Sequence, residues 1–288
     1  MKKLVLIAIL TITAINLSFA GGPWPQQKGK GYFKLSESWI VFDQYFATTG
    51  DILPNTRTGI FNTNFYGEYG ITNNLMGIVN GPFFTSTFMD DVIGINDNIL
   101  HPAEVIYTVG DIDLGLKYGF TNLGIPISAT LMLGLPTGET AGGASGRLQT
   151  GDGEFNQLLQ IDAGIGFNLT EKINSYVSGH VGFNNRTNNF SDEFRYGLEA
   201  GLGFMDKKSW TILRIGGVES LDNGDVNAGN SFVSLYNNNT SYTSFTFEVA
   251  YYVTKRVGVS TTFAGAWRGQ NIAATPIYSI GVFYDLAR

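Results

Sequence analysis

Long runs of this chain alternate apolar and polar residues with a period of two, the spacing that puts successive side chains on opposite faces of a β-strand. In the run 111–120, Ile112, Leu114, Leu116, Tyr118 and Phe120 alternate with Asp111, Asp113, Gly115, Lys117 and Gly119. Leu159, Ile161, Ala163, Ile165 and Phe167 alternate in the same way with Gln160, Asp162, Gly164 and Gly166. Phe194, Tyr196, Leu198, Ala200, Leu202 and Phe204 oppose Arg195, Gly197, Glu199, Gly201 and Gly203. One face is greasy and the other is charged or bare.

A soluble sandwich would show the same alternation, so strand length and loop spacing must decide. About twelve strands are expected, near 31–44, 57–70, 75–87, 105–120, 125–136, 154–169, 174–185, 192–205, 209–220, 241–253, 257–268 and 276–286. Each has about ten residues or more, enough for a tilted membrane crossing and longer than the five or six usual in soluble sheets. The connections alternate in length. Tight polar turns at 71–74, 121–124, 170–173, 206–208 and 254–256 take turns with longer loops at 47–56, 87–103, 137–153, 186–191, 221–240 and 269–275. Short periplasmic turns and long outer loops are the pattern of a closed antiparallel transmembrane β-barrel. Hydrocarbon offers no partner for a free N–H or C=O, so a sheet spans it only by closing on itself.

Composition agrees with this class. Charged residues make up 15% of the 288, against about 25% in soluble domains, and no later stretch is long and apolar enough for a membrane helix. The 37 glycines follow no collagen period, and 14% aromatic residues argue against disorder. No cysteine is present, which excludes disulfide frameworks, zinc–thiolate sites and thiol nucleophiles. A net charge of −6 argues against nucleic acid as a partner.

Lys2 and Lys3 precede an apolar stretch from Leu4 to Ile15, and Ser18-Phe19-Ala20 offers small residues where a signal peptidase reads. Residues 1–20 are therefore expected to be a cleaved secretory signal, 21–30 an N-terminal segment, and 31–288 the barrel. Expected partners are outer-membrane lipid, a small-molecule solute and, during biogenesis, the barrel-insertion machinery. The last strand, with Tyr278, Ile280, Val282, Tyr284 and Leu286 outward, is similar to the signal that this machinery reads, although it ends Leu286-Ala287-Arg288.

Three short motifs stand out: Gly110-Asp111-Ile112-Asp113-Leu114-Gly115-Leu116-Lys117-Tyr118, Gly134-Leu135-Pro136-Thr137-Gly138 and Gly151-Asp152-Gly153-Glu154. With Lys28-Gly29-Lys30-Gly31-Tyr32-Phe33-Lys34-Leu35, they resemble the outer-membrane transporters named for the meta-cleavage pathway of phenol degradation. That family is related to the long-chain fatty acid transporter barrels. The resemblance implies entry of small, often hydrophobic molecules and carries over no substrate-binding residue.

If the greasy faces meet lipid, then Glu37, Glu68, Asp111, Asp113, Lys117, Asp162, Arg195, Glu199, Arg214, Glu248 and Asp285 point into the lumen. Such mixed charges either pair to stiffen the wall or set a field that filters solutes. Inward glycines leave space, and the stiff, bulky Pro23-Trp24-Pro25 is the candidate plug; a mobile tail is the other reading. Ser178 and His180 share one strand face, the least that a hydroxyl nucleophile and its base require. That face is luminal, away from lipid headgroups, so no catalytic residue is assigned. Asp222-Asn223-Gly224-Asp225-Val226-Asn227 clusters oxygen donors but lacks the glutamate of a calcium loop, so no metal and no cofactor are assigned.

The expected activity is uptake of small hydrophobic or aromatic molecules across the bacterial outer membrane, without enzymatic chemistry. A general water-filled porin is the alternative, and an outer-membrane lipid hydrolase or an adhesive barrel is a further one.

Overall fold

The computed structural model describes residues 22–94, 96–120, 123–225, 227–229 and 235–288; the expected signal segment lies outside them. Twelve antiparallel strands close into one barrel. They are β1 (Gly31–Phe46), β2 (Ile52–Gly70), β3 (Leu75–Met89), β4 (Glu104–Thr108, resuming as Ile112–Phe120), β5 (Ile127–Leu135) and β6 (Asn156–Thr170). The ring continues with β7 (Ile173–Asn185), β8 (Glu193–Phe204), β9 (Ser209–Ser220), β10 (Ser241–Tyr252), β11 (Val257–Gln270) and β12 (Ile277–Asp285). Neighbours in sequence are neighbours in the wall, and β1 closes the ring on β12 from Tyr32↔Asp285 to Trp39↔Tyr278. Every strand then has two partners, which removes the free edge that hydrocarbon forbids.

The alternation seen in the sequence becomes inside and outside. Leu114, Leu116, Tyr118 and Phe120 are exposed on the outer face while Lys117 between them is buried, and Leu131, Leu159, Leu198, Leu213 and Ile280 extend the apolar belt. An apolar exterior around a polar interior is stable only when the solvent outside is lipid. Glu37 departs from expectation. It lies on the outer face between exposed Leu35 and Trp39, where its Oε1 accepts the Thr63 hydroxyl at 2.6 Å. The period of β1 explains the error, because buried Ile40 and Phe42 put the even positions of that strand inside.

One strand pair is irregular. The β3–β4 ladder runs from Leu75↔Tyr118 to Asn80↔Asp113, stops, and resumes at Thr85↔Thr108. Pro82 has no N–H to offer a partner, so the ladder cannot run through it. Its carbonyl instead accepts the Gly110 N–H at 2.9 Å. At the long-loop end, β2 begins earlier than expected, at Ile52, and a small hairpin pairs Val92–Ile93 with Ile99–His101.

Candidate functional site: the lumen

At the tight-turn end the lumen is filled by side chains. Tyr32, Tyr176, Trp210, Ile212, Ala250, Tyr252 and Phe283 form a buried cluster, joined by Trp24 and Tyr66. Phe283 stacks on Tyr32 at 5.4 Å between centroids and meets Tyr252 edge-on at 4.9 Å. Inward glycines on neighbouring strands make this packing fit: a Cβ at Gly203 would come within 2.5 Å of the Trp210 ring.

Residues 22–30 run against this aromatic floor. Trp24 meets Tyr176 edge-on at 5.7 Å, Pro23 is fully buried, and Pro25 packs over Gly119. Polar contacts hold the same segment. Lys117 Nζ donates to the Gly22 carbonyl at 2.6 Å, Gln26 Nε2 to Glu68 Oε2 at 3.1 Å, and the Gly29 N–H to the Gly70 carbonyl at 2.9 Å. Tyr66 donates its hydroxyl to the other Glu68 oxygen, so this fully buried carboxylate is bonded on both sides.

Above the floor the charges run in a chain. Lys34 Nζ reaches Glu248 at 2.8 Å, Arg214 bridges Glu248 at 2.8 Å to Glu199, and Glu199 also accepts the Tyr176 hydroxyl at 2.6 Å. Lys117 stands 3.6 Å from Asp162, and both are buried. Buried charges persist only when paired in this way, because an isolated one would forfeit its hydration. Arg195 pairs with Glu193 at 2.7 Å.

Two loops fold inward at the other end. Asp111 accepts the backbone N–H of Gly138 and of Asp152, each at 2.9 Å, while Thr137 donates its hydroxyl to the Gly110 carbonyl at 2.6 Å. The three sequence motifs therefore meet at one point, where they fasten loop 137–153 inside the wall behind the β3–β4 break. Leu148 and Gln149 of this loop are buried, and Thr87 donates to the Gln149 carbonyl at 2.9 Å. Leu235 and Tyr236 pack on Ile40, Phe42, Ile60 and Ala273, two of which, Phe42 and Ile60, also face Leu148 and Gln149. Asp113, inward on β4, accepts from Asn80 at 3.1 Å.

A second charged cluster was not legible in the sequence. Arg186 contacts Glu154, Glu193 at 2.8 Å and Asp152 at 3.4 Å, all with little exposure. Glu193 shares the inward face with Arg195, so period two could have revealed it; Arg186 and Glu154 lie in loops that gave no such signal. Burial pushes the Glu154 carboxyl up to about 8, with Asp152 adding to the shift and Arg186 opposing it.

Between floor and loops lies a cavity of about 640 Å³. Gly22 lines its floor end, Leu235, Tyr236 and Asn237 its loop end, and Gln160, His180, Arg195, Tyr196, Arg214 and Tyr242 its sides. Ser178 and His180 both reach this cavity, yet no hydrogen bond joins them among the described residues. In the loop 222–227, Asn223 donates to Asp192 at 2.8 Å and Asp225 accepts the Asn227 N–H at 2.9 Å. Val226 lies outside the described residues.

No protein-family model matches the chain, and no curated protein matches it. Solved structures do. An outer-membrane channel from Pseudomonas putida F1 superposes with a TM-score of 0.59 at 14% identity, covering 93% of this chain and 100% of that one. The barrel is what they share. The β domain of the Bordetella autotransporter BrkA follows at 0.48 and 11% identity, covering 90% and 100% of the two chains. The NanC porin gives 0.46 and 8%, covering 88% and 98%. At these identities the likeness extends to the fold alone, and the transporter family suggested by the motifs is not matched.

Proposed function

We propose that this protein is a plugged channel of the bacterial outer membrane that admits small molecules through its lumen. The observation that carries the reading is the course of residues 22–30, held across the tight-turn end by Lys117 and Glu68 beneath a cavity of about 640 Å³. Pro23, Trp24 and Pro25 are the plug. The cavity volume is in the range that takes one small organic molecule. With the long-loop end outward, the plug stands on the periplasmic side, where the barrel-insertion machinery also meets the chain.

The solute joins an aromatic or apolar body to polar substituents. Tyr196, Tyr236, Tyr242, Leu158 and Ile277 supply apolar surface to the cavity, while Arg195, Arg214, His180 and Gln160 would lose hydration against a wholly apolar guest. The hydrogen-bonded Glu68, Asp111 and Asp113 and the ion-paired Lys117, Asp162, Glu199 and Glu248 chiefly stiffen the lumen, and Arg195 and Arg214, ion-paired but lining the cavity, act on the solute. No chemistry is assigned to Ser178 and His180. For wholly hydrophobic solutes, the β3–β4 break behind loop 137–153 favours a second route, sideways into the lipid.

Planar-bilayer conductance of the full-length protein and of a chain lacking residues 21–30 tests the reading. A closed full-length protein that opens on deletion supports it. Equal, steady conductance in both would make the barrel a general porin and end the plug proposal.

A further inference from the structure

The tight-turn end carries a charge opposite to that of the chain as a whole. Lys207 and Lys208 lie in the β8–β9 turn, Lys255 and Arg256 in the β10–β11 turn, and Arg288 follows β12. The structure brings these three places together. Arg288 donates to the Asp206 carbonyl at 3.2 Å and lies over the Tyr252 ring at 3.9 Å, and Arg256 donates to the Arg288 carbonyl at 3.4 Å. No ion pair of the described residues includes any of the five; the ion pairs sit elsewhere, in the lumen and the long loops. Burial first, and then the neighbouring Arg288, lower the Lys207 ammonium from its ordinary value. Asp206 is the sole acid in these turns.

The contrast lies at the other rim. Asp43, Asp51, Asp90, Asp91, Asp97, Glu139, Asp222 and Asp225 all lie at the long-loop end, so the basic patch is a placement rather than a surplus of cations. Beside the basic turns, Tyr251, Val253 and Tyr284 are exposed on the outer, lipid-facing surface, and Met205 is exposed in the β8–β9 turn itself. Turns this short cannot lift their side chains far from the membrane, so the cations stand at headgroup height directly beyond an apolar wall.

We propose that Lys207, Lys208, Lys255, Arg256 and Arg288 form a binding site for the phosphate of anionic phospholipids in the inner leaflet of the outer membrane. The acyl chains lie along Met205, Val253 and Tyr251, and the phosphate is shared between the two turns. A cation at an anionic bilayer surface gains about fivefold in affinity for each charge. Five cations against the one acid Asp206, none of the five in an ion pair among the described residues, make the site selective for anionic over zwitterionic lipid.

The site rests on the outer-membrane reading, and its test keeps the two apart. Full-length protein is reconstituted into nanodiscs of phosphatidylcholine, or of phosphatidylcholine mixed with phosphatidylglycerol, then released and weighed by native mass spectrometry. The variant K207Q/K208Q/K255Q/R256Q is treated identically, alongside a charge-retaining K207R/K208R/K255R/R256K set. The expected result is phosphatidylglycerol retained by the wild type and the charge-retaining set, and retention about 600-fold weaker in the glutamine variant, which lacks four of the charges. Equal retention by all three would assign the patch to something other than lipid, such as an acidic soluble protein, and overturn the proposal. If the glutamine variant fails to fold, the wild type still decides: no preference for phosphatidylglycerol over phosphatidylcholine refutes the site. Failure to enter nanodiscs at all would refute the membrane reading instead.

Discussion

The Lys117 ammonium donates to the Gly22 carbonyl at 2.6 Å while standing 3.6 Å from the Asp162 carboxylate, so one wall residue holds both a buried charge and the first described residue of the chain. Lys117→Gln keeps a donor but gives up the charge. A charge-assisted bond in such a place is worth about 1.5–3 kcal/mol, so the open population of the channel rises about 10- to 100-fold. Single-channel recording reads this as more frequent openings. Unchanged gating would mean that Gly22 is held by something other than Lys117.

A cleaner unseating leaves the plug sequence intact. A Cβ at Gly119 would stand 2.5 Å from Pro25 Cγ, and its only other near neighbour is the Asn74 carbonyl at 3.9 Å. Gly119→Ala should therefore push Pro25 off the wall and raise the open probability, with little cost to the barrel. The double variant G119A/P25G removes the obstructed ring and restores closure. Openings that persist in the double variant would place the defect in β4 itself.

Period two gave the strand number and the alternation of turns and loops, because each strand meets lipid on one face throughout its length. The same reasoning failed at Glu37, whose face is set by Ile40 and Phe42: β1 buries apolar residues inward where Leu235 and Tyr236 cover them. The sequence also spoke of Pro23, Trp24 and Pro25 only as bulk. Which wall groups they meet depends on Lys117 and Gly119 of β4 and Tyr176 of β7, distant in the chain from residues 23–25, and no local pattern joins these. For the same reason the motifs at 110–118, 134–138 and 151–154 were recognisable as words before their common contact at Asp111 was visible.

Asp111 is the fastening of loop 137–153, and removing it isolates that role. Asp111→Ala strands the N–H groups of Gly138 and Asp152, at about 1–3 kcal/mol for each unsatisfied group. The loop should then leave the lumen while the barrel survives. Protease added to reconstituted protein should cut within 137–153 at least about tenfold faster than in the wild type, with the barrel strands left uncut. Gly151→Ala should act in the same direction, because its Cβ would collide with the Asp111 carboxylate. Equal cutting in wild type and D111A would dismiss Asp111 as the anchor.

The Glu154 carboxyl gives the long-loop end a pH dependence of defined sign. Its native value of about 8 lies above the ordinary value of 4.5, chiefly through burial and then through Asp152, with Arg186 opposing. The folded arrangement therefore binds a proton that the released loop does not hold between those two values. Stability from this group is complete below about 4.5 and is lost as pH rises toward and through about 8. Loop 137–153 and its Arg186 contacts should loosen from pH 6 to pH 9, read as faster proteolysis and noisier conductance. Glu154→Gln cannot ionise, so it should abolish this dependence and stay closed at pH 9. A loop that is tighter at pH 9 than at pH 6 in the wild type would reverse the sign and show that Glu154 is ionised throughout, held by Arg186.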